Sequence, residues 1–144
     1  YGLVGSEMCI RDSYCKVLNI EGLTMLDMAK KDIFPAVSAY SGALSKNALA
    51  KKELSSSISC ESEIALIEKL SKLSSCLMKS ADELENALMC AAECGDIRAT
   101  AEYYRDQVIP RMQELRAVGD QIEVNLGEEY LPYPTYGQLL FSVS

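Results

Sequence analysis

The sequence predicts an all-α fold: an elongated antiparallel bundle of three long helices, two of them kinked at proline, followed by an extended Pro/Tyr tail and a short terminal helix. Three observations carry this. Apolar residues recur at steps of three and four along three stretches of about thirty residues each. The connectors between those stretches are short, which sets successive helices side by side. Helix would then occupy well over half of the chain, far above the roughly one-third average of globular domains.

The first helix is expected from about Glu21 to Leu54. Leu23, Leu26, Ile33, Val37, Tyr40 and Leu44 share one face, Asn19 is placed as its N-cap, and Glu21 adds a charge that suits the first turn. Pro35 lies inside it, where the missing N–H and the ring predict a kink near Lys31–Phe34. The run Ser55-Ser56-Ser57-Ile58-Ser59 is the first connector. The second helix opens at Glu61 and Glu63 and carries the cleanest stripe: Leu66, Leu70, Leu73, Leu77, Ala81, Leu84, Leu88 and Ala91. Gly95 is expected to end it in the left-handed C′ position, and Asp96 to cap the third helix. That helix runs through Ile97, Ala101, Tyr104, Val108, Met112, Leu115, Val118, Ile122 and Leu126, is interrupted by Pro110 and closes at Gly127. Beyond it, Pro132 and Pro134 exclude helix, Thr135 suits the cap of a last turn at Tyr136–Phe141, and the apolar tail is expected to fold back on its own domain.

Composition narrows the chemistry. The 144 residues include no histidine, which excludes Ser/His/Asp and Cys/His catalysis, His-ligated zinc and the Glu-x-x-His di-iron bundle. The net charge of −7 argues against an electrostatic nucleic-acid or anionic-membrane partner, and Lys30-Lys31 and Lys51-Lys52 are too short to make a basic footprint. No apolar run reaches membrane-spanning length. Neither Gly-x-Gly-x-x-Gly nor Gly-x-x-x-x-Gly-Lys occurs.

The six cysteines, Cys9, Cys15, Cys60, Cys76, Cys90 and Cys94, lie mostly within helical patterns and read as reduced thiols of a cytoplasmic protein. Cys90 and Cys94 share a helix face. A zinc site there would need two further ligands, so they read as small packing side chains. Glu61, Glu63, Glu68, Asp82, Glu83, Glu85, Glu93 and Asp96 read as a solvated face rather than a metal or acid/base set. Met25, Met28, Met78 and Met89 read as core filler, and the terminal tyrosines as packing groups. From the residues themselves, no catalytic, cofactor-binding or metal-ligating residue is assigned.

The first thirteen residues differ from the rest. Tyr1–Ser13 has no clear helical or strand period, and LVGSEMCIRDS resembles a translated sequencing-adaptor read-through. Residues 1–13 are therefore expected to be a non-native or disordered leader, and residues 14–144 the domain.

Four segments resemble one family when taken in order. They are Leu18-Asn19-Ile20-Glu21-Gly22-Leu23-Thr24-Met25 with the helix that follows, Ile33-Phe34-Pro35-Ala36-Val37, Val108-Ile109-Pro110-Arg111-Met112, and Pro132-Tyr133-Pro134-Thr135-Tyr136-Gly137-Gln138-Leu139-Leu140-Phe141. Together they resemble the C-terminal region of type III glutamine synthetase. That resemblance implies a parent enzyme that joins ammonia to glutamate through a glutamyl phosphate, with ATP and divalent metal such as Mg held in an upstream catalytic domain. It also implies a cytoplasmic, ring-shaped homo-oligomer, with the upstream catalytic domain and identical subunits as this segment's partners. None of the family's catalytic motifs maps onto this chain. Gly22 departs from the pattern, since a better helix former is expected there. The reading is a non-catalytic C-terminal helical domain, inactive alone, with a structural or subunit-contact role. Its rival is a free-standing helical interaction or scaffold module.

Overall fold

A computed structural model describes residues 2–133, with side chains from residue 9 onward. All regular structure among them is helical, arranged as three rods. The first rod comprises α1 (Gly2–Asp27), a π-helical stretch (Met28–Ile33) and α2 (Phe34–Leu54). The second is α3 (Glu61–Ala92), at 1.5 Å per residue roughly 48 Å long. The third comprises α4 (Ile97–Tyr103), a second π-helical stretch (Tyr104–Val108) and α5 (Ile109–Asn125). A 3-10 turn at Glu128–Tyr130 follows. The expected terminal turn at Tyr136–Phe141 and its Thr135 cap lie outside the described residues.

Both π-helical stretches end just before a proline, and the physical cause is local. Pro35 has no N–H, and its ring would strike the carbonyl of Lys31 in a regular α-turn; Pro110 stands in the same relation to Asp106. The backbone widens instead. The Phe34 N–H bonds to the carbonyl of Ala29, and the Ile109 N–H to that of Tyr104, each reaching back five residues rather than four. Each proline then sits at the start of the next α-helix, where its missing donor costs little.

The core is one apolar cluster shared by all three rods. α3 contributes Leu70, Leu77, Ala81, Leu84, Leu88 and Ala91 as expected, with Leu66 and Leu73 half-buried against them. The third rod contributes Tyr104, Val108, Leu115, Ile122 and Leu126. Both stripes follow the three-and-four spacing of the sequence.

The first rod corrects the sequence reading in three places. α1 does not start near Glu21; it runs unbroken from Gly2, so Asn19 is mid-helix and caps nothing. Its amide instead donates to the Tyr104 hydroxyl at 3.2 Å, tying α1 to the third rod. The buried stripe also begins earlier and on another face: Cys15, Leu18, Gly22, Leu26, Ala29, Ile33 and Val37 point inward, whereas Leu23 is 50% exposed. Gly22 faces the core because α3 comes so close there that a Cβ would lie 3.0 Å from Leu88 Cδ1.

The helix ends also differ from expectation. α3 ends without a left-handed residue: its last helical residue is Ala92, Glu93 turns, and no glycine among the described residues has positive φ, so Gly95 is not a C′ cap of that kind. Asp96 does stand at the N-cap of α4 with extended backbone, but its side chain makes no cap bond. Thr100 donates from Oγ1 to the Asp96 carbonyl at 2.7 Å instead. At the opposite end, Cys60 is the buried N-cap residue of α3, its thiol toward the Ala48 carbonyl, and Lys51 pairs with Glu63 across the serine connector. Gly127 lies 3.1 Å (as a virtual Cβ) from the Tyr40 ring, which also meets Tyr130 with centroids 5.0 Å apart, so the 3-10 turn rests on α2.

Gly42 offers a contrast with Gly22. It lies inside α2 with nothing within 4 Å of a virtual Cβ. Gly42→Ala is therefore expected to raise stability by about 0.5–1 kcal/mol, read from urea midpoints, because alanine forfeits less chain entropy on folding.

Candidate docking site

The polar residues that could carry chemistry are dispersed. No polar or charged side chain is buried among the described residues, and none of their His, Cys, Asp and Glu side chains gather into a group of three able to hold a metal ion. Of the carboxylates named above, Glu63 and Glu83 are half-buried and the others exposed. Lys30 donates to Glu85 at 2.9 Å, joining the first π-stretch to α3, and that bond raises its pKa. Lys31 lies 3.7 Å from Asp27, Lys51 pairs with Glu63, and Lys52 reaches the Ser56 carbonyl, so both basic pairs are engaged within the chain.

The cysteines are unpaired thiols. Cys15 and Cys60 are buried, and burial pushes the Cys15 thiol up, with nearby Asp12 adding to the effect. Cys90 is exposed and Cys94 half-buried, and the Cys94 thiol points to the Cys90 carbonyl at 3.7 Å. Cys94 and Cys15 line an open hollow of about 430 Å³ between α1 and the α3–α4 junction, together with Asn19, Thr100 and Tyr104.

What the structure assembles is apolar surface. Two adjoining hollows form a groove between the first rod and α5. The first, about 550 Å³, is lined by Leu18, Ile20, Met25, Ile109 and Met112, with Glu21, Gln113 and Arg116 at its edges. The second, about 330 Å³, takes in Met28, Ile33, Leu115 and Gly119, with Leu77 of α3 also lining it and Asp120 and Glu123 among its acidic residues. Met25 and Arg116 belong to both, which makes the groove continuous. Two methionines expected to fill the core, Met25 and Met28, thus line a surface groove. Sequence periodicity could not show it, because the two walls are about ninety residues apart in the chain.

Tyr133 packs against the core beside this groove. Its hydroxyl donates to Asp32 in the first π-stretch. Burial first, then that bond and the charges of Asp32 and Glu123, hold its phenol well above the usual tyrosine range. Its neutral form is favoured by folding, so its contribution is full below about pH 10 and is lost as pH climbs toward the raised value. Tyr133→Phe should therefore lower stability at pH 8 but have a smaller effect at about pH 11, checked by urea unfolding at both.

A second apolar surface lies on α1. Tyr14, Val17, Ile20 and Leu23 recur at every third residue and wind across its outward half, at 46%, 52%, 64% and 50% exposure. Isolated exposed apolar residues are ordinary; here four follow one another along one helix. None of the described helices is long and apolar enough to cross a membrane.

Comparison with known proteins gives this helical domain a context. Residues 6–52 match the family model of the glutamine synthetase C-terminal domain. A glutamine synthetase of Butyrivibrio fibrisolvens is 36% identical over 132 residues, covering 92% of this chain and 19% of that protein. A glutamine synthetase of Bacteroides fragilis (strain YCH46) is 26% identical over 135 residues, covering 91% of this chain and 18% of that protein. The chain thus spans about a fifth of the length of the curated relatives it matches. Nearly the whole chain is taken up by these matches while most of each relative is not, the pattern that a C-terminal fragment of a glutamine synthetase gives.

Proposed function

We propose that this chain is the non-catalytic C-terminal domain of a glutamine synthetase of the type III form and that its role is structural. In this reading an elongated antiparallel three-helix appendage holds the catalytic domain and identical subunits of a cytoplasmic, ring-shaped homo-oligomer in place. The whole enzyme would ligate ammonia to glutamate with ATP and Mg, all of that chemistry lying in the catalytic domain. The observation that carries the reading is the outward apolar run on α1, Tyr14, Val17, Ile20 and Leu23, which the bundle itself leaves uncovered. Burying what remains exposed of four such side chains would contribute about 1–1.5 kcal/mol each before the costs of association, enough to matter for a subunit contact.

The test is Val17→Asp with Leu23→Asp in the whole enzyme. Both side chains are about half exposed, so the domain itself should still fold. The expected result is dissociation of the oligomer on size exclusion, with loss of glutamine formation. An oligomer of unchanged size and activity would overturn the reading.

A further inference from the structure

The groove between the first rod and α5 needs an occupant, and the chain supplies one. We propose that the C-terminal segment Pro134–Ser144 docks intramolecularly in this groove, with Leu139, Leu140 and Phe141 as its anchors. The groove shares Ile20 with the surface of the subunit-contact reading, and the grounds for its occupant lie elsewhere.

The first ground is where the described chain ends. Tyr133 is fixed by its hydroxyl to Asp32, the residue before Ile33, and Ile33 and Glu123 line the same end of the groove. The described residues therefore end beside the groove. The second ground is length. From Asp32 back to Leu18, at the far end, is fourteen residues of helix, or roughly 20 Å. The eleven residues 134–144 extend to roughly 35 Å, so they cover the groove with slack.

The third ground is chemistry. The segment has no charged side chain and carries Tyr136, Leu139, Leu140, Phe141 and Val143. The groove is lined by Leu18, Met25, Met28, Ile33, Ile109 and Met112, which present apolar and adaptable surface. Its edges bear Glu21, Asp120 and Glu123 against the single cation Arg116. An acidic segment would be repelled there, and a basic one would have to strip water from its charge beside apolar walls; an uncharged apolar one meets neither cost. Tethering at Tyr133 adds an effective concentration in the millimolar range, so a weak contact suffices.

The test uses the full 144-residue chain labelled with 13C at the methionine methyl groups. Leu139→Ser, Leu140→Ser and Phe141→Ser together should shift the Met25, Met28 and Met112 signals, leave that of exposed Met89 in place, and give the same shifts at tenfold dilution. Groove methionines that do not move overturn the proposal. So do shifts that depend on concentration, which would mean that a second copy fills the groove. A measurement on the unsubstituted chain guards against a variant that fails to fold: nuclear Overhauser contacts from the Phe141 ring to these methyl groups are expected, and their absence overturns the proposal equally.

Discussion

Replacing Leu84 by alanine is expected to lower the free energy of unfolding by about 2–5 kcal/mol. Leu84 is fully buried, at 0% exposure, in the rod that meets both of the others. Truncation forfeits the transfer of three carbons from water and leaves a hole that the neighbours cannot close, because Leu77 and Leu88 on either side are themselves fixed in the same cluster. The loss would be a large part of the roughly 5–15 kcal/mol that holds a domain of this kind together. In urea, with a slope of about 1–3 kcal/mol/M, the midpoint should fall by roughly 1–3 M. Met89→Ala, five residues on but 61% exposed, should change it by less than about 0.5 kcal/mol. Equal effects from the two substitutions would show that α3 does not sit at the centre of the bundle.

The second large effect is expected at Gly22. A Cβ there would meet Leu88 Cδ1 at 3.0 Å and Cδ2 at 3.2 Å, and Leu88 is 5% exposed, with little room to swing away. Valine gains a few tenths of a kcal/mol in helix propensity over glycine, but overpacking a tight contact costs about 1–3 kcal/mol. Gly22→Val should therefore be destabilising, opposite in sign to Gly42→Ala. Coupling gives the sharper check. Gly22→Ala and Leu88→Ala made together should cost less than the sum of the two alone, by about 0.5–3 kcal/mol, since each relieves the fault of the other. Strict additivity would mean that the two helices do not touch at this point.

Gly22 also shows why part of the fold was hidden in the sequence. Stripes of Leu, Val and Ile announce themselves, and those of α3 and the third rod were legible residue by residue. A glycine at a helix crossing carries no hydrophobic signal, so the apolar face of the first rod was read through Leu23, one residue and about 100° away. Asn19 misled for a related reason. Its propensity to cap is real, but the helix had already begun, and its amide found Tyr104 instead. The groove was illegible because its walls come from distant segments, and periodicity reports which residues face inward, not where two rods fail to close the gap between them. What the sequence did carry was the absence of histidine and with it a narrowing of the chemistry, together with the ordered motifs that point to the family.

The π-helical stretches change what the two interior prolines mean. Inward residues keep to steps of three and four straight through both stretches, Ala29-Ile33-Val37 in the first rod and Tyr104-Val108-Met112 in the third. A turn closed over five residues takes up one residue more than a turn closed over four. Each stretch is therefore an absorbed insertion, and the inward face stays in phase on both sides of it. Deleting one residue from either would return the proline ring to the carbonyl it now avoids. The spare residue works as a phase shifter: it lets a rod carry a proline in its interior and still present one continuous face to its neighbours.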